Sequence, residues 1–178
     1  MEWRTVRSEP CIDSPYFRVR RDDVELPSGD VVPGYHVWES KDIATVVPVT
    51  PGGEFVLVRQ WRHGTGQLML QFPAGGVDAG ETALEAARRE LREETGYLAG
   101  NFVHLGDTSS YPTKMTGWSR LFLAEDAYPG AVPADDPMEQ TEIVVVDAAG
   151  LRELIETNQF QVADSLAAAL LTMRRLGL

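Results

Sequence analysis

The segment from residue 82 to residue 95 constrains the fold of this chain most, because it has the pattern of a helix with one acidic face. It contains no proline, and Gly96 follows it, a residue that adopts the left-handed conformation of a helix end at little cost. At about 100° per residue, Glu90, Glu93 and Glu94 fall within one arc of about 100°. We therefore predict a helix that ends at Gly96 and carries three carboxylates on one face.

Two interpretations of this acidic face are open from the helix alone. Leu84 and Leu91 fall beside the arc, so the carboxylates border the apolar side of the helix. Like charges at this spacing cost a few tenths of a kcal/mol in water and more when partly buried. The glutamates could be solvated, or they could hold divalent cations, because Mg²⁺ and Mn²⁺ prefer carboxylate and water oxygens.

The spacing around the helix favours the cation. Gly75 is followed by five residues and then Glu81, and after seven more the chain reads RELREETGY up to Tyr97. This pattern resembles the Nudix hydrolase signature, Gx5Ex7REUxEExGU, in which U is a bulky apolar residue. Tyr97 departs slightly from it, being aromatic where an aliphatic residue is commoner. The resemblance implies hydrolysis of a nucleoside diphosphate linked to another moiety, with Mg²⁺ or Mn²⁺ as cofactor.

The same resemblance implies roles for the residues of the motif. Arg89 would pair with Glu81 and orient a catalytic carboxylate, while Gly75 would shape the loop that meets the substrate. The implied metal ligands are Glu90, Glu93, Glu94 and the backbone carbonyl of Ala74.

Outside the motif, the chain resembles the branch of ADP-ribose pyrophosphatases and nucleoside diphosphate sugar hydrolases, from about Val6 to the C-terminus. The similar segments read SPYFRVRRDDVELPSGDVVPGYHVWE, VVPVTPGGEFVLVRQWR, LQFPAGGVDAGE and LRELIETNQFQVADSLAAALL. A proline about 15 residues beyond the motif marks this branch, and Pro112 has that position. The surrounding SSYPTKMTGW departs from the usual Ser-Pro-Gly, which leaves the distal sugar open.

Further substrate contacts follow from the branch. Arg59 and Arg62 would face the phosphates or the ribose, because a guanidinium can bind two oxygens at once. Strand alternation puts them on opposite faces, which favours only one of them reaching the site. Phe17 and Trp38 would stack on the base, or alternatively pack within the sheet.

The general base has three candidates. In this branch it often lies on an acidic loop before a late strand, and residues 125–140 form such a loop here. Glu139 is favoured slightly over Glu142, and Glu93 on the helix is the other contender.

Patterning along the rest of the chain predicts an α+β fold, since strands and helices mix without strict βαβ alternation. Strands are predicted near 16–20, 35–38, 44–49, 55–58, 68–72, 102–105, 118–123 and 142–146, and helices at 148–157 and 163–176. Pro51-Gly52-Gly53 predicts a hairpin between residues 44–49 and 55–58. In the last helix, Leu166, Leu170 and Met173 predict one apolar stripe.

The resemblance implies a Nudix α/β/α sandwich with a mixed sheet, preceded by an antiparallel β extension. We predict the extension at residues 1–42 and the hydrolase domain at 43–178. In this branch the extension usually builds a homodimer, so a homodimer is expected here.

Composition excludes several other classes of protein. The 178 residues include 16 Lys and Arg against 27 Asp and Glu, a net charge of −11, which repels nucleic-acid backbones and anionic membranes. Cys11 is the single cysteine, and no run approaches the ~20 apolar residues of a membrane span. The N-terminus has no apolar leader segment, so a cytoplasmic protein is expected.

The leading hypothesis is divalent-metal-dependent hydrolysis of ADP-ribose, or of a related nucleoside diphosphate sugar, to a nucleoside monophosphate and a sugar phosphate. One alternative is hydrolysis of another nucleotide, such as a dinucleotide or a nucleoside triphosphate. The other is a catalytically silent domain that only binds a nucleotide.

Overall fold

Residues 1–134 and 140–178 are described by the computed structural model, in which the chain forms two compact units. The first unit comprises Met1–Lys41 and Ser109–Trp118, and the second Asp42–Thr108 and Ser119–Leu178. Across the described residues, no helix has both the length and the apolar character needed to cross a membrane.

The elements follow one another along the chain. The first unit contains β1 (Arg4–Asp13), β2 (Arg18–Glu25) and β3 (Val31–Glu39). The second contains β4 (Ile43–Pro48), β5 (Phe55–Arg62), β6 (Gln67–Gln71), β7 (Ala74–Gly76), α1 (Ala83–Thr95), β8 (Tyr97–Leu98), β9 (Asn101–Thr108), β10 (Ser119–Glu125), β11 (Tyr128–Pro129), β12 (Thr141–Val146), α2 (Ala148–Glu156) and α3 (Ala163–Leu176).

The first unit is an antiparallel sheet in the order β1-β2-β3. The segment 109–118 attaches to β3 through Trp38, whose N–H donates to Lys114 O at 2.7 Å and whose carbonyl accepts from Thr116 N at 3.1 Å. The sequence-based boundary after residue 42 did not anticipate this segment, because its partner strand lies more than 70 residues earlier.

The second unit has the layered core that the α+β prediction implies. Its main sheet has the order β7-β4-β10-β9, with β4 and β10 parallel. Alternate residues of β4 enter different cores: Ala44 and Val46 pack with α1, whereas Val47 packs with α3. Because side chains alternate across a strand, helices cover both faces of this sheet, and the expected α/β/α sandwich is confirmed.

The predicted hairpin between β4 and β5 is wrong. A tight turn at residues 50–54 does connect them, but only the bridge between Val49 and Phe55 joins the strands. β5 lies between β12 and β6 in a second sheet, while β4 lies between β7 and β10. Both edges of each strand are therefore already paired, and the chain changes sheet at the turn.

The predicted stripe on α3 is also partly wrong. Leu170 is 59% exposed, although Leu166 and Met173 do pack into the core. The buried face instead consists of small residues and one methionine, namely Ser165, Ala168, Ala169, Thr172 and Met173. Small side chains let this helix pack closely against the sheet. Because few of them are large and apolar, the buried face could not be identified from the pattern of large apolar residues.

Candidate active site

Both ends of α1 are fixed by local interactions, which sets the position of its acidic face. Thr82 caps the N-terminus, accepting from Glu85 N–H, while the Glu85 carboxylate accepts from Thr82 N–H at 2.8 Å. Gly96 ends the helix in the left-handed conformation, with φ of 69°. The predicted helix, its acidic face and its glycine end are confirmed by this geometry.

Arg89 lies at the centre of the carboxylates of the motif. Its Nε and Nη2 donate to the two oxygens of Glu81, each at 3.0 Å, and Nη2 also donates to the Gly76 carbonyl at 2.9 Å. Its Nη1 donates to Glu90, and to Glu93 at 3.4 Å. Hydrogen bonding to Glu81, reinforced by Glu90, raises the pKa of Arg89 above its ordinary value despite some burial. The sequence-predicted pairing of Arg89 with Glu81 is therefore present.

Glu94 accepts hydrogen bonds from two uncharged donors. Its Oε2 accepts from Ala74 N–H at 3.2 Å, and its Oε1 accepts from Gln60 Nε2 at 3.3 Å. Ala74 and Glu94 therefore lie side by side.

Gly75 brings the backbone close to the helix. A Cβ built on Gly75 would lie 2.0 Å from Oε1 of Glu90, so any larger residue here would displace the Glu90 carboxylate. The loop and the Glu90 carboxylate therefore form one surface.

The donor set of this surface has the chemistry that Mg²⁺ or Mn²⁺ prefers. Glu90 and Glu94 are both buried, and buried carboxylates are stable only when a cation or several donors face them. Counting Glu81, Glu90, Glu93 and Glu94 against Arg89 and Arg92, the cluster carries two excess negative charges. Among the side chains that the structure describes, no three acidic, histidine or cysteine groups are arranged as a chelate, because Arg89 lies between Glu90 and Glu93.

Two arginines lie in the second half of β5, and their side chains have different hydrogen-bond partners. Arg59 Nη1 donates to both oxygens of Glu142, at 2.9 and 3.1 Å, across the pairing of β5 with β12. Arg62 Nε donates to Gln71 Oε1 at 2.8 Å. Their location on opposite faces agrees with the predicted alternation. Glu139, the favoured general base, lies outside the described residues.

The aromatic candidates belong to the first unit. The rings of Phe17 and Trp38 lie 5.5 Å apart with an interplanar angle of 38°, and both side chains are partly exposed. Pro112 lies in the segment that joins β3. Phe17 and Trp38 therefore contact each other within the first unit.

Sequence reasoning missed two residues near the motif, Gln60 and Gln71. They are 4% and 2% exposed, and both take part in the hydrogen bonding beside Glu94. The sequence did contain an indication, because each glutamine lies in a predominantly apolar strand, and a buried polar side chain needs a hydrogen-bond partner. Nothing in the sequence shows that the partner is a glutamate 34 positions away.

Comparison with known proteins assigns the family. The model of the NUDIX domain matches residues 40–166, and that of the nucleoside diphosphate sugar hydrolase N-terminal domain matches residues 3–38. The chain belongs to the Nudix family. It is an enzyme of that family, and Nudix hydrolases generally use divalent metals.

Relatives of this Nudix hydrolase extend over most of its length. The ADP compounds hydrolase NudE of Escherichia coli is 30% identical over 92% of this chain and 87% of its own. The ADP-ribose pyrophosphatase of Bacillus subtilis is 28% identical over 92% of this chain and 90% of its own. A solved ADP compounds hydrolase structure superposes with a TM-score of 0.88 and 27% identity, covering 99% of this chain and 95% of that one. These matches support a nucleoside diphosphate hydrolase acting on a small molecule.

Proposed function

We propose that this Nudix hydrolase cleaves the pyrophosphate bond of ADP-ribose or a related nucleoside diphosphate sugar, with Mg²⁺ or Mn²⁺ as cofactor. The observation that carries the proposal is the convergence of Glu81, Glu90 and Glu93 on Arg89, beside the Gly75 loop and Glu94. The names of the relatives, which include ADP-ribose and ADP-sugar pyrophosphatases, support this substrate class.

The proposed metal ligands are Glu90, Glu93, Glu94 and the carbonyl oxygen of Ala74. When bound, the cation neutralises pyrophosphate charge and lowers the pKa of a water molecule. Arg89 and Glu81 hold the acidic face against the loop through their paired hydrogen bonds. Arg89 therefore acts by positioning the carboxylates.

The reaction proposed is attack of water on one phosphorus. A new P–O bond forms, a carboxylate accepts the proton of the water, and the bridging oxygen leaves with the other phosphate. The products are a nucleoside monophosphate and a sugar phosphate. Glu139, Glu142 and Glu93 are the candidates for the accepting carboxylate, and Glu142 lies beside Arg59 at 2.9 Å.

Substrate contacts are proposed for both units. Arg59 and Arg62 would bind phosphate oxygens, because guanidinium groups match them bidentately. Phe17 and Trp38 would stack on the base, worth about 1–3 kcal/mol per base. Gly75 would let the substrate approach the backbone, and Pro112 would shape the pocket for the distal sugar.

The test is a substrate panel assayed with Mg²⁺ and then Mn²⁺. It contains ADP-ribose, ADP-glucose, GDP-mannose, NADH, a dinucleoside polyphosphate and deoxynucleoside triphosphates, with products separated by chromatography. We expect the highest kcat/KM for an ADP-sugar, with equal amounts of nucleoside monophosphate and sugar phosphate. A preference for a triphosphate or a dinucleotide would overturn the substrate class, and no turnover with either metal would overturn the activity.

We also propose that the protein is a homodimer, formed through the first unit. Its sheet leaves large apolar side chains exposed, including Trp3, Val6, Ile12, Val31 and Trp38. Exposed apolar patches of this kind mark interaction surfaces. Sedimentation should give twice the monomer mass at micromolar concentration, and a monomer would overturn this proposal.

We propose the cytoplasm as the location of the protein, with which the single, unpaired cysteine is compatible.

A further inference from the structure

Two glutamine side chains are buried beside the acidic face of α1. Gln60 lies in β5 and Gln71 in β6, strands whose other residues form much of the apolar core. Burying an amide without partners costs about 1–3 kcal/mol by mutational measures. Both amide groups must therefore form hydrogen bonds with neighbouring residues. The identity of those residues indicates what the glutamines do.

The register of β5 and β6 places these side chains on one face. Val58 pairs with Gln71, and Gln60 pairs with Met69, so Gln71 lies diagonal to Gln60. Long side chains reach one another across such a diagonal. Arg62 lies two residues beyond Gln60 and therefore shares this face.

The hydrogen bonds run in one direction from Arg62 to Glu94. Arg62 Nε donates to Gln71 Oε1 at 2.8 Å, and Gln71 Nε2 donates to Gln60 Oε1 at 3.4 Å. Gln60 Nε2 then donates to Glu94 Oε1 at 3.3 Å. These hydrogen bonds link four side chains directly.

The groups at the two ends of this series of hydrogen bonds fix its direction. A guanidinium can only donate and an ionised carboxylate can only accept, whereas each glutamine can do either. Arg62 therefore forces Gln71 to present its oxygen, and Gln71 then forces Gln60 to present its NH₂ group to Glu94. With Ala74 N–H on the other carboxylate oxygen, the orientation of Glu94 is determined at both oxygens.

We propose that Gln60, Gln71 and Arg62 are positioning residues that orient the Glu94 carboxylate for binding a divalent cation. The inference rests on the proposed function, because it takes Glu94 as a metal ligand. In metal binding the three residues act through Glu94, as the partners of metal ligands do, and Arg62 takes part through its Nε. The phosphate contact proposed for Arg62 above is a second role of the same side chain.

The test measures binding of Mn²⁺ alone, without substrate, from the EPR signal of the free ion. Gln60→Met keeps the length of the side chain and removes the donor, so we expect affinity to fall by about 10- to 100-fold. Gln71→Met should weaken binding in the same direction, but less. Gln67→Met makes the same change at an exposed position of β6 and should leave affinity unchanged.

Non-additivity separates positioning from packing. Because Gln71 acts through Gln60, the double variant should bind Mn²⁺ no more weakly than Gln60→Met alone. Losses from packing would appear in the free energy of unfolding and would leave the metal affinity untouched. Arg62→Lys keeps a positively charged donor at this position, whereas Arg62→Met removes it. Arg62→Lys should therefore bind Mn²⁺ more tightly than Arg62→Met.

The outcomes distinguish this inference from the proposed function. If the wild-type protein binds Mn²⁺ and hydrolyses its substrate while Gln60→Met and Gln71→Met bind within about two-fold of it, the positioning role is overturned alone. If Gln60→Met does not fold, Gln71→Met and the Arg62 pair decide by the same criterion. If the wild-type protein binds no metal, the proposed function and the positioning role both fail.

Discussion

The first unit and the α1 site both contain clustered charged side chains, but they pair them differently. In the sheet of the first unit, five arginines meet five carboxylates, in the pairs Arg4–Glu25, Arg7–Glu9, Arg18–Asp13, Arg20–Asp22, Arg20–Glu39 and Arg21–Glu9. At α1, Glu81, Glu90 and Glu93 share Arg89, and Glu94 is held by neutral donors.

The difference teaches how structural and functional carboxylates can be told apart. In the sheet the five carboxylates of these pairs each have a compensating arginine. Among the ion pairs described at α1, four glutamates lie near two arginines, and the proposed cation would offset the remaining negative charge. Acids in the sheet should therefore affect folding, and acids on α1 should affect activity.

The largest effect is expected for Glu94→Gln. Because the variant removes a proposed ligand, kcat/KM should fall by at least about 100-fold, more than for loss of a residue that only orients a ligand. The free energy of unfolding should fall by no more than about 2 kcal/mol, since glutamine keeps the shape of the side chain and one acceptor oxygen. The measurements are metal-dependent hydrolysis and urea unfolding.

The control for Glu94→Gln is Glu156→Gln, the same substitution on the exposed side of α2. It should change neither quantity. Full activity in Glu94→Gln would mean that Glu94 is not a metal ligand. It would also contradict the proposed contrast between the sheet of the first unit and the α1 site.

Asp22→Asn should show the opposite result, with a loss of stability. Asp22 is 2% exposed and accepts from the Ser8 hydroxyl at 2.6 Å and from Arg20 Nε at 2.9 Å. Weakening hydrogen bonds to a buried charge should lower the free energy of unfolding by about 1–3 kcal/mol at neutral pH. Metal affinity measured with Mn²⁺ should stay at the wild-type value.

The effect at Asp22 should also depend on pH. Burial raises the pKa of Asp22, but hydrogen bonds from Ser8 and Arg20 outweigh it, so the pKa lies below its ordinary value of 3.8. A lowered pKa stabilises the fold above pH 3.8, and the contribution is lost as the pH falls through the lower, folded-state value. Urea unfolding at neutral and strongly acidic pH should show the difference between wild type and Asp22→Asn shrinking in acid. A constant difference would contradict the ionic origin of the effect.

A smaller loss is expected for Thr82→Ala, which removes the N-terminal cap of α1. The free energy of unfolding should fall by about 1 kcal/mol, and Thr82→Ser should restore most of it. Thermal unfolding measures this change. The Mn²⁺ affinity should not change, since the cap lies two turns before Glu90. Weaker metal binding in Thr82→Ala would mean that the start of the helix also orients its acidic face.

The smallest effect is expected for Asp13→Asn, at an exposed ion pair on the sheet of the first unit. Asp13 and Arg18 are joined at 2.9 Å, with both side chains more than half exposed. Exposed pairs contribute about 0–1 kcal/mol, and salt screens that contribution. The measurement is the free energy of unfolding of the wild type and Asp13→Asn, with and without 0.5 M NaCl. That salt concentration is about five times the ionic strength at which the screening length is 10 Å, so the two proteins should be equally stable in it. A loss as large as that of Asp22→Asn would mean that burial does not distinguish the two pairs.

What the sequence predicts well here is local. The bounds of α1 follow from Thr82, Glu85 and Gly96, which act within one turn of the helix ends. The pairing of Arg89 with Glu81 spans eight residues, and the motif contains both. These features depend on neighbours in the chain, so patterning and a short signature are sufficient to find them.

What the sequence could not predict depends on distant partners. Nothing near residues 50–54 shows that β5 pairs with β12, more than 80 residues later, so the turn alone predicts a hairpin. The partners of Gln60 and Gln71 become visible only once β5, β6 and α1 are packed together. Both failures have the same cause, which is that contacts between distant residues leave no local pattern.

The parallel pairing of β4 with β10 has a consequence for the order in which the protein is made. It joins Ile43 to Ser119, and a ribosome adding about 5–20 residues per second needs about 4–15 s to pass from one to the other. Only the last part of that interval, about 1–5 s, follows the synthesis of α1, and during it α1 exists without Phe122 and Ala124, which complete the core beneath it. We therefore expect a nascent chain stopped before residue 119 to expose the apolar side of α1 to chaperones and proteases, although every residue of the acidic motif has already been synthesised.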